Sequence, residues 1–363
     1  MSADDVDSNA TTDLRDPVAE QAAAQHDVTM TASGPRPPAA SPATPDHPES
    51  VHLTKVGHLG DTIFRGSAWT AAIILVALVA FVGIFLLVTA IPSLMQNQEN
   101  FLTSTRWDIG NPATGGTLAF GIAGLLWTTV LSSIVAMMVA VPIAVGTALL
   151  ITQYLRPKVG STIGFLVDLL AAVPSIVFGL WGAKLFGPSL APLYGWIRDT
   201  FGWIPLFGPG VDSTSNVLTA SLVLAIMILP IITAVSRDVF AQTPRDHIEA
   251  ALALGATKWE MIRTAVIPYG RSGVVAASML GLGRALGETV AVMIILSQVN
   301  DTSINVSLFA GGETFASKIA NNAAEFDSPA KTGAYIAAGL VLFLVTFAVN
   351  AAARIVVDRR RVK

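Results

Sequence analysis

Six long apolar stretches dominate the chain, at about residues 68–91, 118–151, 162–186, 217–235, 272–299 and 334–357. Each reaches the roughly 20 residues that an α-helix needs to cross about 30 Å of hydrocarbon, so the pattern predicts six transmembrane helices. Ahead of the first stretch, Val56, Leu59 and Ile63 recur at three- and four-residue spacing among Lys55, His58, Asp61 and Arg65. That spacing predicts a short amphipathic helix on the membrane surface within 51–67, with a solvated linker as the alternative. Residues 1–50 show no period at all. They hold nine carboxylates against Arg15 and Arg36, no aromatic residue, and a Pro-rich run from Gly34 to Pro48. Such a composition cannot bury enough apolar surface to offset chain entropy, and it predicts a disordered acidic tail. The basic and apolar regions of a signal peptide are missing from the first 30 positions, so the tail is expected to stay attached.

Composition sharpens this picture. Hydrophobic residues make up 52% and charged residues 13%, where a soluble domain carries roughly 25% charged residues to cover its surface. Mean hydropathy is +0.61. The expected fold class is therefore an all-α membrane protein, with a six-helix domain over 68–357 and a basic C-terminus over 358–363. A formal net charge of −3 gives no basic excess to draw the chain to nucleic acid. With no cysteine in the chain, disulfides, Cys-ligated zinc, iron–sulfur clusters and thiol nucleophiles are excluded.

Basic residues in the short loops set the expected orientation. Fourteen fall on one side: Lys55, Arg65, Arg156, Lys158, Arg237, Arg245, Lys258, Arg263, Arg271, Arg354, Arg359, Arg360, Arg361 and Lys363. Only Arg106, Arg198, Lys318 and Lys331 fall on the other. Both termini are thus expected in the cytoplasm, with long outer loops near 92–117, 187–216 and 300–333.

The second inner loop, about 243–268, has a particular order. Thr243 is placed to cap a helix whose first turn holds Pro244, Arg245 and Asp246, which runs through Glu249, Ala250, Ala251 and Leu252 and stops at Gly255. Pro268 predicts a break before the fifth span. Glu249-Ala250-Ala251, Gly255 and Pro268 closely resemble the signature loop of ABC importer permeases, where Glu-Ala-Ala and Gly are followed after nine residues by Ile-x-Leu-Pro. Here Ala265 and Ile267 stand at the Ile and Leu positions, a change of size rather than character. The resemblance implies that Arg245 to Gly255 is a coupling helix that docks in a groove on an ATP-hydrolysing subunit. The chain has no GxxxxGK[ST] phosphate loop, so that ATPase, with its ATP and Mg, is expected on a separate polypeptide.

Charge inside the apolar stretches marks the other candidate site. The fifth stretch holds Gly281-Leu-Gly-Arg-Ala-Leu-Gly-Glu-Thr289, and at about 1.5 Å per residue Arg284 lies roughly 20 Å beyond Arg271. On a continuous helix Arg284 and Glu288 share one face. One reading is a self-neutralising pair that fixes helix packing. The other is a planar guanidinium on the path of an oxyanion, with Glu288 orienting it. In the third stretch, Ala172-Val-Pro-Ser-Ile-Val-Phe-Gly-Leu-Trp-Gly182, Pro174 predicts a kink that either serves packing or frees N–H groups of a half-helix starting at Ser175. Asp168 is expected to snorkel or pair, and Lys184 to reach the headgroup region. His247 has no partner at ligand spacing that would argue a metal site. No nucleophile elbow, Ser-His-Asp order or paired-carboxylate constellation points to catalysis, so the chain is not expected to be an enzyme alone.

The fifth stretch and the coupling loop together are similar to the permease of phosphate-specific ABC importers, the PstC type. In that family an intramembrane Arg and a Glu four residues later are tied to phosphate transport, and a Pro-Ser-Ile-Val segment recurs; Arg284, Glu288 and Ser175 stand at those positions. The resemblance covers about Trp69 to Val357. It implies a second homologous permease, a dimeric ATPase and an extracytoplasmic phosphate-binding protein as partners in the plasma membrane. An importer of sulfate or molybdate, and a passive anion channel, are the alternative functions. Since the tail lies outside the resemblance, deleting residues 2–48 is expected to leave phosphate uptake near normal, and lost assembly on that truncation would refute the reading.

Overall fold

The computed structural model describes residues 58–110, 116–208, 210, 214–296 and 304–359. The predicted tail over 1–50 lies outside the described residues. Residues 66–363 form one compact unit; of residues 1–65 only the opening turns of the first helix are described.

That helix, α1, runs over His58–Gln96. Residues 58–65 belong to it, so no separate surface helix forms there, and 51–57 are not among the described residues. α1 is held at its far end, where Ser93 Oγ donates to the Ala330 carbonyl at 2.8 Å. Next comes a hairpin of β1 (Trp107–Ile109) and β2 (Leu118–Phe120), antiparallel with Trp107 opposite Phe120. Asn97 clamps it, donating to the Phe120 carbonyl at 2.7 Å and accepting from the Phe120 N–H at 2.9 Å. The second span therefore starts later than the apolar run at 118 suggests. Leu-Ala-Phe is too short a run for its period to separate strand from helix, and Gly121 lies against the Ser104 backbone, where no side chain fits.

α2 (Ala123–Leu149) follows and continues through a π-helical turn, Leu150–Tyr154. α3 is Pro157–Ala171, α4 is Ser175–Trp181, and a π-turn, Gly182–Phe186, leads to the short α5, Gly187–Ser189. α6 (Ala191–Phe201) precedes α7 (Val217–Ala241), which Asn216 caps by accepting the Thr219 N–H at 3.0 Å. α8 is Arg245–Ala253 and α9 is Lys258–Met261; a third π-turn, Ile262–Val266, then joins α10, Ile267–Gly287. α11 (Val290–Ile295), α12 (Phe315–Asn321) and α13 (Pro329–Arg359) complete the order.

Among the described residues, five helical runs are long and apolar enough to cross a membrane: 60–96, 123–154, 217–241, 258–287 and 329–355. The third predicted span, 162–186, is instead the pair 157–171 and 175–189, bent by 87°. Pro268 breaks nothing. It lies in the first turn of α10 directly after a π-turn, whose widened hydrogen-bond spacing absorbs the missing N–H.

The core is a seam of α2, α7 and α10. Ala136, Ala140, Ala144 and Ala148 recur every four residues on α2 and are fully buried. On the other flank of α7, a Cβ at Gly270 would stand 2.6 Å from the Phe240 ring and one at Gly281 2.7 Å from Ile232 Cδ1, while Gly273 leaves no room beside Val239. Lipid tails are as apolar as side chains, so association in a membrane rests on such close approach of small residues.

Candidate functional site: two broken helices and a coupling turn

The two segments with candidate chemistry are the two that break. Pro174 lacks an N–H and stands extended (φ −59°, ψ 141°), so α3 ends and α4 starts afresh at Ser175. Further along, α10 ends at Gly287, Glu288 is extended (φ −67°, ψ 125°), and α11 restarts at Val290. The fifth predicted span, 272–299, is thus interrupted.

These restarts pack on each other. A Cβ at Gly179 would stand 2.9 Å from Ala291 Cα, and one at Gly182 would stand 3.0 Å from Ile295 Cδ1. The contacts advance together along both helices, so α4 and α11 run parallel, with Ser175 and Glu288 each close to the start of its half-helix. Glu288 is 9% exposed, and its Oε1 accepts the Ala291 N–H at 3.2 Å. Arg284 occupies the last turn of α10, where the helix dipole favours a cation. Its Nε is buried without a hydrogen-bond partner. Among the described residues no ion pair joins Arg284 to Glu288, because the chain leaves the helix before Glu288 can come round onto Arg284's face. Arg284 and Glu288 therefore do not share one helical face, and the self-neutralising pair offered by one of the two sequence readings is not formed. The stop-and-restart signal was present in the sequence, in Gly287 followed by Thr289 and a new apolar run.

The cytoplasmic candidate is α8 and its exit turn. Pro244, extended at φ −57° and ψ 136°, is the N-cap residue, without a side-chain bond. Thr243, expected to cap, is buried with an unpartnered hydroxyl. Gly255 has φ +83°, the left-handed region that a glycine enters freely. Its N–H donates to Leu252 O at 3.0 Å and the Ala256 N–H to Ala251 O at 3.2 Å, a Schellman end. Thr257 then starts α9 with a capping box to Glu260. Ile248 and Ala251 pack on Phe240, Met261, Ile262 and Val266, leaving Glu249, Ala250 and Gly255 exposed. From Ile262 to Arg284 is roughly 30 Å along the helix axis, so the two candidate sites lie at opposite ends of one continuous element.

Asp168 finds a partner that sequence alone did not identify: Arg237 on α7, at 3.3 Å. Gly164 makes this approach feasible, since a Cβ there would collide with the guanidinium. Lys184 and His247 are exposed. No group of His, Asp or Glu that could hold a metal occurs among the described residues.

Residues 140–362 match the family described as "Binding-protein-dependent transport system inner membrane component". The chain is 53% identical over 298 residues to "Phosphate transport system permease protein PstC 2" of Mycobacterium tuberculosis (strain ATCC 25618 / H37Rv), covering 81% of this chain and 91% of that one. Its identity to "Phosphate transport system permease protein PstC" of Mycobacterium leprae (strain TN) is 54%, covering 75% and 85%. The protein of that name from Mesorhizobium japonicum is 38% identical, covering 83% and 91%.

Proposed function

Because the chain belongs to the family of binding-protein-dependent transport system inner membrane components, we propose that it is the permease subunit of an ATP-driven importer of inorganic phosphate. It is a transmembrane component and no enzyme by itself. The observation that carries the substrate assignment is the identity to phosphate transport permeases over most of the chain. Membership of this family implies a transporter complex with an ATPase and a substrate-binding protein. In our reading these are a dimeric ATP-binding subunit that holds ATP and Mg, an extracytoplasmic phosphate-binding protein and a second, homologous permease. Both termini face the cytoplasm, in keeping with the distribution of basic residues.

In this reading Arg284, Glu288 and Ser175 line the anion path, while Glu249, Ala250 and Gly255 meet the ATPase and Ala251, expected among them, seats α8 on the core. The unpartnered Nε of the half-buried Arg284 supports the first part, since that donor gains from an anion what it lacks from the protein. The half-helices starting at Ser175 and Val290 bring two breaks together, as expected where backbone groups face a polar path. The exposed α8, packed on the π-turn that leads into α10, supports the second part.

The deciding experiment is radiolabelled phosphate uptake by the complex in proteoliposomes with internal ATP and external binding protein, in competition with sulfate and molybdate. ATP-dependent uptake that only phosphate competes away is expected; efficient competition by either other anion would overturn the substrate assignment. One variant tests the joint of the half-helices. Gly179→Ala puts a methyl against Ala291 Cα, costing about 1–3 kcal/mol of strain, and is expected to cut uptake several-fold and lower the melting temperature of the purified complex. Unchanged values for both would show that this contact is loose.

A further inference from the structure

α6 has two faces that do not match a helix standing free in water. On one, Tyr194 is 3% exposed, shares a 3.0 Å hydrogen bond with Thr219 at the start of α7, and meets Phe309 edge to face at 5.4 Å. The Arg198 guanidinium lies over the same Phe309 ring at 5.7 Å. On the other face Leu193 and Trp196 are 46% and 58% exposed, and just beyond the helix Trp203 is 79% exposed. Phe201 braces Trp196 edge to face at 5.9 Å.

This exposed apolar face is not an isolated patch. Leu180, Trp181 and Leu185, on the half-helix that ends at Ser189, are also exposed, and only Leu190 separates α5 from α6. The band therefore runs along the chain from a membrane-crossing segment straight into α6. Asp199, three residues after Trp196, is exposed at the polar edge of this band. Tryptophan is the residue that favours the boundary of headgroups and acyl chains, and a short amphipathic helix beside a span has its natural partner there.

We propose that α6, with Trp196 and Trp203 as anchors, lies in the plane of the membrane interface and binds phospholipid at the leaflet where Ser175–Ser189 ends. Its buried face ties that anchor to α7 and to Phe309, so lipid contact fixes the far end of the α4 half-helix. This is independent of which solute crosses the protein.

The natural absence of cysteine permits a direct test. Leu193→Cys, Trp196→Cys and Trp203→Cys, with Asp199→Cys for comparison, are labelled with an environment-sensitive fluorophore in the complete transporter reconstituted in phosphatidylcholine–phosphatidylglycerol nanodiscs. Labels at 193, 196 and 203 are expected to be quenched by lipid carrying a spin label high on its acyl chain, and to be several-fold less accessible to aqueous iodide than the label at 199. Equal iodide access at all four positions, or shielding that appears only on adding the binding protein, would overturn the proposal. Should cysteine variants fail to assemble, the tryptophan emission of the wild type minus that of Trp196→Phe/Trp203→Phe is measured in brominated phosphatidylcholine. A quenched difference spectrum supports the interfacial site, and an unquenched one refutes it.

Discussion

Arg284→Gln is expected to abolish phosphate uptake while the subunit stays in the membrane at normal abundance. The guanidinium Nε is already without a protein partner, and no ion pair to Glu288 is lost among the described residues, so the fold has little to lose. The transported anion, in the proposed reading, loses a two-pronged charge-assisted contact. Arg284→Lys separates charge from geometry. It keeps the cation but gives up the planar fork, and losing one charge-assisted hydrogen bond of about 1.5–3 kcal/mol predicts uptake reduced by roughly ten- to a hundredfold. The double variant Arg284→Gln/Glu288→Gln is expected to assemble and not to transport. Uptake of radiolabelled phosphate at matched membrane abundance decides the matter: robust transport by the double variant would make both residues packing elements and place the anion contacts elsewhere.

Gly255→Arg is expected to eliminate ATP-driven uptake with insertion intact. A Cβ at this position meets nothing within 4 Å in the chain, so the bulk and charge act outward, on whatever docks there. The backbone contributes a second, smaller effect, since φ is +83° and a β-carbon in that region costs about 1–2 kcal/mol. Gly255→Asn distinguishes the two, because asparagine tolerates the left-handed conformation and carries little bulk. It should retain most of the uptake. Normal uptake by a stably inserted Gly255→Arg variant would remove α8 from the ATPase joint, while equal failure of both variants would point to the Schellman turn itself.

Legibility in the sequence followed the range of the forces involved. Apolar runs long enough to span a bilayer are visible because a membrane leaves few alternatives to helix, and four of the six runs fall on continuous helices of spanning length, while 162–186 and 272–299 are interrupted. Gly255 and Pro174 were legible because each imposes its own backbone conformation. What escaped depends on neighbours distant in sequence. The 118–120 strand exists because Asn97 and Trp107 receive it, and the Asp168 partner sits 69 residues away. The π-turn before Pro268 is a local accommodation that no period announces. The reading of Arg284 and Glu288 as a self-neutralising pair rested on a continuous helix, and the stop at Gly287 outweighs the four-residue periodicity. The candidate residues were read from residue type and position in the chain; what their contacts are had to come from the fold.

The alanine and glycine seam of α2, α7 and α10 has a mechanical consequence. Where long side chains interdigitate, a push can be absorbed by changes of rotamer, but Ala140, Ala144 and Gly281 have no rotamers to change. A displacement applied at the α8 end of α10 meets rotamers only on the α7 side of the seam, at residues such as Ile228 and Ile232, so the three helices would respond as a comparatively stiff strut. Compliance is concentrated instead at the ends of the strut, in the wide π-turns at 150–154 and 262–266 and in the extended residue Glu288. A movement at one surface would then reach the broken helices nearly undiminished in amplitude, as rotation about those joints.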